Sequence, residues 1–202
     1  MTPDSPQKMI PPDILLDGYR RGLFPMSESR DDDSVSWFTA RKRGIIPIHS
    51  FKVSSNVKRI IRQKRYHCRV NSSFRSVVEE CANRDTTWIS DVIINSYEML
   101  HLAGHAHSVE IFDRDNNLAG GLYGVTLGAA FFGESMFKIS PEADKVALWH
   151  CHQILKKNGF TLWDTQFYTE HLGRFGCIEI SSEEYAKRLT DALSKDAAFL
   201  SF

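Results

Sequence analysis

The sequence lacks the features that mark membrane, secreted and disulfide-rich proteins. No apolar run approaches the roughly 18 to 20 residues of a membrane-spanning helix, and the first residues lack the charged-then-apolar pattern of a secretory signal. The four cysteines are scattered without a C-x-x-C pair, which favours reduced, buried thiols over zinc ligands or disulfides. These absences predict a cytoplasmic protein that does not enter a membrane.

Fingerprints of common catalytic folds are also missing. The sequence contains no G-x-S-x-G motif, no P-loop and no dinucleotide-binding glycine pattern. The stretch His101-x-x-x-His105-x-His107 has a metal-like spacing, but Gly104 is expected to end a helix between the first two histidines. No carboxylate pattern completes a ligand set there, so we predict no metal site.

Acidic residues are absent between Ser34 and Val78, although the whole chain has 25 basic and 25 acidic residues. Eleven basic residues lie in this window, and five of them belong to one segment with helical spacing. They are Lys58, Arg59, Arg62, Lys64 and Arg65. A localised basic surface is typical of a nucleic-acid site, although a solvated helix face would have the same pattern.

Isolated polar residues occur in two apolar segments. Glu134 is the one charged residue between Phe131 and Phe137, and a buried carboxylate is costly unless it is paired or hydrogen-bonded. Asp164 and Gln166 lie two apart in a strand-like segment, so their side chains emerge on one face. Bonds to backbone donors would explain this pair, but three polar groups in two strands favour a buried polar site.

Helix and strand signals follow an order typical of a mixed α/β fold with helices on both faces of a sheet. A clear amphipathic helix is predicted over Asp91 to Leu102, and Ser140-Pro141-Glu142 has the pattern of a helix start. Ile45 to Ile48 is predicted as a strand at a sheet edge, because it contains a proline. We expect a small N-terminal α/β domain over residues 1–50 and a larger domain over residues 51–202.

Several motifs, in the right order from about Ile14 to Tyr185, resemble the leucyl/phenylalanyl-tRNA–protein transferases. They are Tyr19-x-x-Gly22-Leu23-Phe24-Pro25, Thr87-Trp88-Ile89, His105 to Glu110, Gly121 to Val125, Phe132 to Phe137, and Asp164-x-Gln166 with His171-Leu172-x-x-x-Gly176. The resemblance implies a small N-terminal domain followed by an acetyltransferase-like (GNAT-like) domain, a mixed sheet flanked by helices.

The implied activity moves Leu or Phe from aminoacyl-tRNA to the N-terminal α-amine of proteins that begin with Arg or Lys, marking them for degradation under the N-end rule. The resemblance places Asp164 and Gln166 near the attacking amine and Glu134 at the aminoacyl end. It assigns Trp37 and Trp88 to the terminal adenosine, and the basic helix to the acceptor stem. Because the donor is an activated ester, we expect no cofactor and no metal.

Selection of Leu and Phe requires an apolar pocket, for which Leu122, Phe131 and Met136 are candidates, with Gly133 beside them. Phe131 and Met136 have opposite strand parity, so both line the pocket only if the strand bulges near Gly133.

Positioning is expected to dominate catalysis, because general-base help contributes about 10²- to 10⁴-fold and alignment about 7 to 11 kcal/mol. In this hypothesis Asp164 polarises the Gln166 amide, which guides the amine.

Two other functions fit parts of the sequence. An acyl-CoA N-acyltransferase of the same fold would need an Arg/Gln-x-x-Gly-x-Gly/Ala pyrophosphate loop, and no Arg or Gln here starts that pattern. A non-catalytic RNA-binding module would explain the basic window but would leave Glu134, Asp164 and Gln166 unexplained. A chain with its own core is expected to be a monomer.

Overall fold

The computed structural model describes residues 8–200. The helices are α1 (Pro12–Arg20), α2 (Ser55–Arg62), α3 (Phe74–Ala82), α4 (Asp91–Leu102), α5 (Ala143–Lys157), α6 (Glu170–Gly173) and α7 (Ser182–Leu193). The strands are β1 (Phe24–Met26), β2 (Ser36–Phe38), β3 (Lys42–Ile45), β4 (His67–Val70), β5 (Ala106–Phe112), β6 (Leu118–Leu127), β7 (Ala130–Lys138), β8 (Leu162–Gln166) and β9 (Ile178–Ser181). Within this part of the chain no helix has both the length and the apolar character needed to cross a membrane.

Seven strands form one mixed sheet in the order β4-β5-β6-β7-β8-β3-β9. β7 and β8 are parallel, whereas the other neighbours are antiparallel. β1 and β2 form a separate two-stranded ribbon. One core packs the sheet against α1, α3, α4 and α7, and a second core packs its other face against α2 and α5. The predicted mixed α/β fold is therefore confirmed.

The sheet opens between its two parallel strands. β7 and β8 pair over three residues, from Ala130 opposite Leu162 to Phe132 opposite Asp164. Beyond that point β7 continues alongside β6 and leaves β8. On β7, Gly133 pairs with Gly124 and Ser135 pairs with Tyr123, so Glu134 between them is the extra residue of a bulge. The opening thus lies beside the bulged acid.

Two local predictions were wrong. The strand expected at Ile45 to Ile48 lies earlier, over Lys42–Ile45, and it is inside the sheet between β8 and β9 rather than at its edge. Pro47 comes after this strand, so its missing N–H does not interrupt the ladder. The helix expected to start at Ser140 and Pro141 begins at Ala143, after Glu142 adopts a left-handed φ of 70°.

Candidate active site

A cavity of about 310 Å³ lies at the opening of the sheet, and its two walls differ in character. The apolar wall consists of Leu122, Phe131, Met136, Leu148, Trp163 and Leu172. The polar wall includes Arg84, Trp88, Tyr123, Glu134, Ser135 and Gln166. Because the bulge at Glu134 reverses the strand parity, Phe131 and Met136 both line the cavity, as does Gly133.

Glu134 is buried and receives three hydrogen bonds. Its Oε1 accepts from the Tyr19 hydroxyl at 2.8 Å and from Gln166 Nε2 at 3.0 Å. Its Oε2 accepts from the Tyr97 hydroxyl at 3.0 Å. Burial raises the pKa of Glu134 to about 7, because the loss of hydration outweighs the hydrogen bonds that lower it. Glu134 is therefore a carboxyl group that changes charge near neutral pH.

Asp164 is fully buried and is held by a cation. Arg43 Nε donates to its two oxygens at 2.9 and 3.1 Å, and a terminal nitrogen of Arg43 donates to Oδ2 at 2.7 Å. The Tyr185 hydroxyl donates to Oδ2 at 2.6 Å, and the backbone N–H of Gln166 donates to Oδ1 at 2.8 Å. Asp164 therefore reaches Gln166 through the backbone and not through the side-chain amide, which corrects the proposed polarisation of that amide.

Gln166 is oriented by an unusual backbone conformation. Its φ of 60° lies in the left-handed region, which is costly for a side chain other than glycine. On the neighbouring strand Gly44 pairs with Gln166, and a Cβ on Gly44 would lie 2.5 Å from the backbone carbon of Phe167. The Gln166 side-chain amide points toward Glu134, to whose Oε1 it donates at 3.0 Å.

Arg43 was not predicted as a site residue. Its place in the acid-free window indicated a surface cation, but its side chain is 1% exposed. The guanidinium lies between the rings of Phe24 and Tyr185, at 5.0 and 4.4 Å, and donates to the Gly22 carbonyl oxygen at 2.9 Å. The one signal in the sequence was that a buried Asp164 would need a partner.

The two tryptophans assigned to the adenosine lie in different places. Trp88 lines the cavity and also borders a second depression, which Ser36 and Phe38 of β2 line as well. The Trp37 ring instead packs against Gly18 of α1, where a Cβ would lie 2.1 Å from it. Since neighbouring residues of a strand point to opposite faces, the structure separates Trp37 from the cavity residues.

The five predicted basic residues are all exposed on α2 and the turn that follows it: Lys58, Arg59, Arg62, Lys64 and Arg65. Arg59 donates to the side chains of Asn56 and Gln63, and no carboxylate within residues 8–200 pairs with it. Arg75, which lies in the same sequence window, pairs with Glu79 and Glu98. The unpaired basic surface therefore includes only part of the acid-free window and is centred on α2.

The mixed sheet that opens between two parallel strands agrees with the predicted acetyltransferase-like fold. The crystal structure of FemX matches 84% of this chain and 66% of its own, with a TM-score of 0.55 at 13% identity, which supports the fold. The family model for leucyl/phenylalanyl-tRNA protein transferase matches residues 45–190, and the model for its N-terminal domain matches residues 9–41.

Similar proteins carry the same family name. The leucyl/phenylalanyl-tRNA–protein transferase of Cereibacter sphaeroides (strain KD131 / KCTC 12085) is 48% identical over 190 residues, 94% of this chain and 88% of the relative. That of Dinoroseobacter shibae is 46% identical over 197 residues, 98% of this chain and 87% of the relative. The chain belongs to the leucyl/phenylalanyl-tRNA protein transferase family and is an aminoacyltransferase, which confirms the predicted family and enzyme class.

Proposed function

We propose that this protein transfers leucine or phenylalanine from aminoacyl-tRNA to the N-terminal α-amine of proteins that begin with Arg or Lys, marking them for degradation. The observation that carries this proposal is a cavity in which an apolar wall meets a buried carboxyl group. Leu122, Phe131 and Met136 suit an apolar aminoacyl side chain. Glu134 and Gln166 lie where the ester and the amine would meet.

In the proposed reaction the amine nitrogen forms a bond to the ester carbonyl carbon, and the bond from that carbon to the ribose oxygen breaks. An α-amine has a pKa of about 7.7 to 8, so it must lose a proton before or during attack. After that proton has passed to solvent, the neutral amine attacks, and its nitrogen loses a second proton as the amide forms. Glu134, with a pKa of about 7, is matched to accept this second proton and to return it to the leaving ribose oxygen. Gln166 guides the amine, and Asp164 with Arg43 holds Gln166 in place.

The donor RNA is proposed to lie across the polar mouth of the cavity. Trp88 at this mouth is placed to stack on the terminal adenine. We propose that the exposed cations of α2 contact the phosphates of the acceptor stem. We place the reaction in the cytoplasm, where charged tRNA is available, and expect the protein to act as a monomer.

An acyl-CoA donor fits this site less well. A pyrophosphate is favoured at a helix N-terminus that is free of acidic residues. Here the N-terminus of α5 carries Glu142 and the buried Asp144, which lies 3.5 Å from His171 on the cavity wall. Glu142 is paired with Lys145 at 2.8 Å, but the buried carboxylate of Asp144 would repel an anionic donor. A non-catalytic RNA-binding module would not explain why Glu134, Gln166 and Asp164 are buried together, since burying polar and charged side chains is costly.

Transfer of labelled leucine from leucyl-tRNA tests the proposal directly. Peptides that begin with Arg or Lys are expected to become labelled, and the same peptide beginning with Ala serves as the matched control. Tight binding of leucyl-tRNA without transfer to any peptide would support the binding module instead. Label transferred from leucyl-CoA but not from leucyl-tRNA would support the acyl-CoA enzyme.

A further inference from the structure

Arg84 is a fixed cation at the mouth of the cavity. It follows α3 and lines the cavity together with Trp88 and Ser135. Its Nε donates to the Cys81 carbonyl oxygen at 2.8 Å, and a terminal nitrogen donates to Ser135 Oγ at 2.8 Å. Both acceptors are neutral. Among residues 8–200 no carboxylate forms an ion pair with Arg84, so two hydrogen bonds to neutral groups hold the guanidinium without a direct anionic partner.

The residues around Arg84 differ between its two sides. Acidic residues Glu28, Asp31 and Asp85 line a separate depression that Arg84 also borders. The hydrogen bond to Ser135 holds the guanidinium against β7, on the cavity side. Arg84 is also solvent-exposed, so its charge remains hydrated until a ligand arrives.

The chemistry of the two substrates indicates which of their groups would bind the Arg84 guanidinium. The protein acceptor carries a positive side chain and an α-amine, and it would be repelled by Arg84. The leucyl or phenylalanyl side chain is neutral and fits the apolar wall. The remaining group near the ester is the phosphate on the 5′ side of the terminal nucleotide. An arginine binds a phosphate through paired, charge-assisted hydrogen bonds.

We propose that Arg84 binds the phosphate 5′ to the terminal adenosine of the aminoacyl-tRNA and so holds the ester at the cavity mouth. The proposal rests on the proposed function. Trp88 follows Arg84 by four residues on the same loop and would stack on the adenine, so one loop would hold both the base and the phosphate of this nucleotide.

Two minimal donors that differ by one phosphate test the proposal. They are 3′-O-leucyl-adenosine and 3′-O-leucyl-adenosine 5′-monophosphate, compared by kcat/KM for transfer to an Arg-initiated peptide. The wild type is expected to prefer the phosphorylated donor about 10- to 100-fold. Arg84→Gln should bring the two donors to nearly equal use, and Arg84→Lys should keep part of the preference. Arg114→Gln, an exposed arginine on the β5–β6 turn, is the matched control and should keep the full preference.

Two results would overturn the proposal. One is a wild type that uses both minimal donors equally. The other is an Arg84→Gln variant that loses activity on both donors in parallel. An unchanged preference for the phosphorylated donor would mean that Arg84 supports Ser135 and does not bind the phosphate. A wild type that transfers nothing even from intact leucyl-tRNA would refute the proposed function itself. Transfer from leucyl-tRNA without a preference between the two minimal donors would refute only the role of Arg84. Thermal unfolding of each variant checks that the fold is retained.

Discussion

Asp164 and Glu134 are both buried carboxyl groups on neighbouring parallel strands, yet their surroundings differ. Asp164 is neutralised by Arg43, with further bonds from Tyr185 and the Gln166 backbone. Glu134 receives hydrogen bonds from neutral groups alone: two tyrosine hydroxyls and one amide. Neutral donors compensate only partly for lost hydration, and the pKa of Glu134 therefore rises to about 7.

This difference indicates a division of labour between the two acids. A carboxylate locked in an ion pair holds its neighbours in a fixed geometry, which suits the support of Gln166. A carboxyl group with a pKa near the working pH can accept and return a proton during one catalytic cycle. We infer that Asp164 is a positioning residue and that Glu134 is the proton acceptor. Four experiments test these two assignments.

Removal of the cation beside Asp164 should have the largest effect on stability. Arg43→Met would leave a buried carboxylate without its counter-charge, at an expected loss of about 3 to 5 kcal/mol in the free energy of unfolding. Denaturant unfolding measures this loss. Lys42→Met changes an exposed neighbour on the same strand and should stay within about 0.5 kcal/mol of the wild type. A loss below about 1 kcal/mol for Arg43→Met would contradict a structural ion pair.

Isosteric amides should separate the two acids by their effects. Glu134→Gln is expected to slow single-turnover transfer by roughly 10²- to 10³-fold at saturating substrates while the fold is retained, because an amide cannot accept the proton. Asp164→Asn should lose stability as well as activity, since Arg43 would then be buried without an anion. Full single-turnover activity in Asp164→Asn would exclude its positioning role, and full activity in Glu134→Gln would exclude its role as base.

Much of the fold could be predicted because its signals are local. Helix α4 has the predicted bounds, Asp91–Leu102, because its amphipathic pattern is contained in its own sequence. Strand β3 was misplaced because it contains Lys42 and Arg43, which have no apolar pattern. Its place inside the sheet depends on pairing with β8 and β9, which no local pattern reveals.

The candidate site was predicted in part for the same reason. Glu134 and Gln166 were recognisable as polar residues in apolar strands, and the structure brings their side chains to 3.0 Å. Their partners come from distant parts of the chain: Tyr19 is 115 residues from Glu134, and Arg43 is 121 residues from Asp164. A tyrosine on a helix has the sequence pattern of a core residue, so its hydroxyl partner emerges only from the tertiary packing.

The pH dependence of stability should reveal Glu134 as the titrating acid. Its pKa in the fold, about 7, lies above the ordinary value of 4.5, so the protonated form is favoured in the folded state. The resulting stabilisation is complete below about pH 4.5 and is lost as the pH rises through 7, by on the order of 3 kcal/mol. Unfolding measured at pH 5 and pH 8 should show Glu134→Gln gaining on the wild type by about that amount. An equal difference at both pH values would contradict the raised pKa.

Removal of one tyrosine hydroxyl that donates to each carboxyl group should have the smallest effects, and these effects should differ between the two groups. Tyr97→Phe removes a hydrogen bond that lowers the pKa of Glu134, so this pKa should rise further. Because transfer needs the ionised base, the acidic limb of the profile of kcat against pH should move up by about one unit. Tyr185→Phe removes a donor from Asp164, costs about 1 kcal/mol of stability and leaves that limb in place, since Arg43 still holds the carboxylate. Equal shifts in both variants would contradict the assignment of this limb to Glu134.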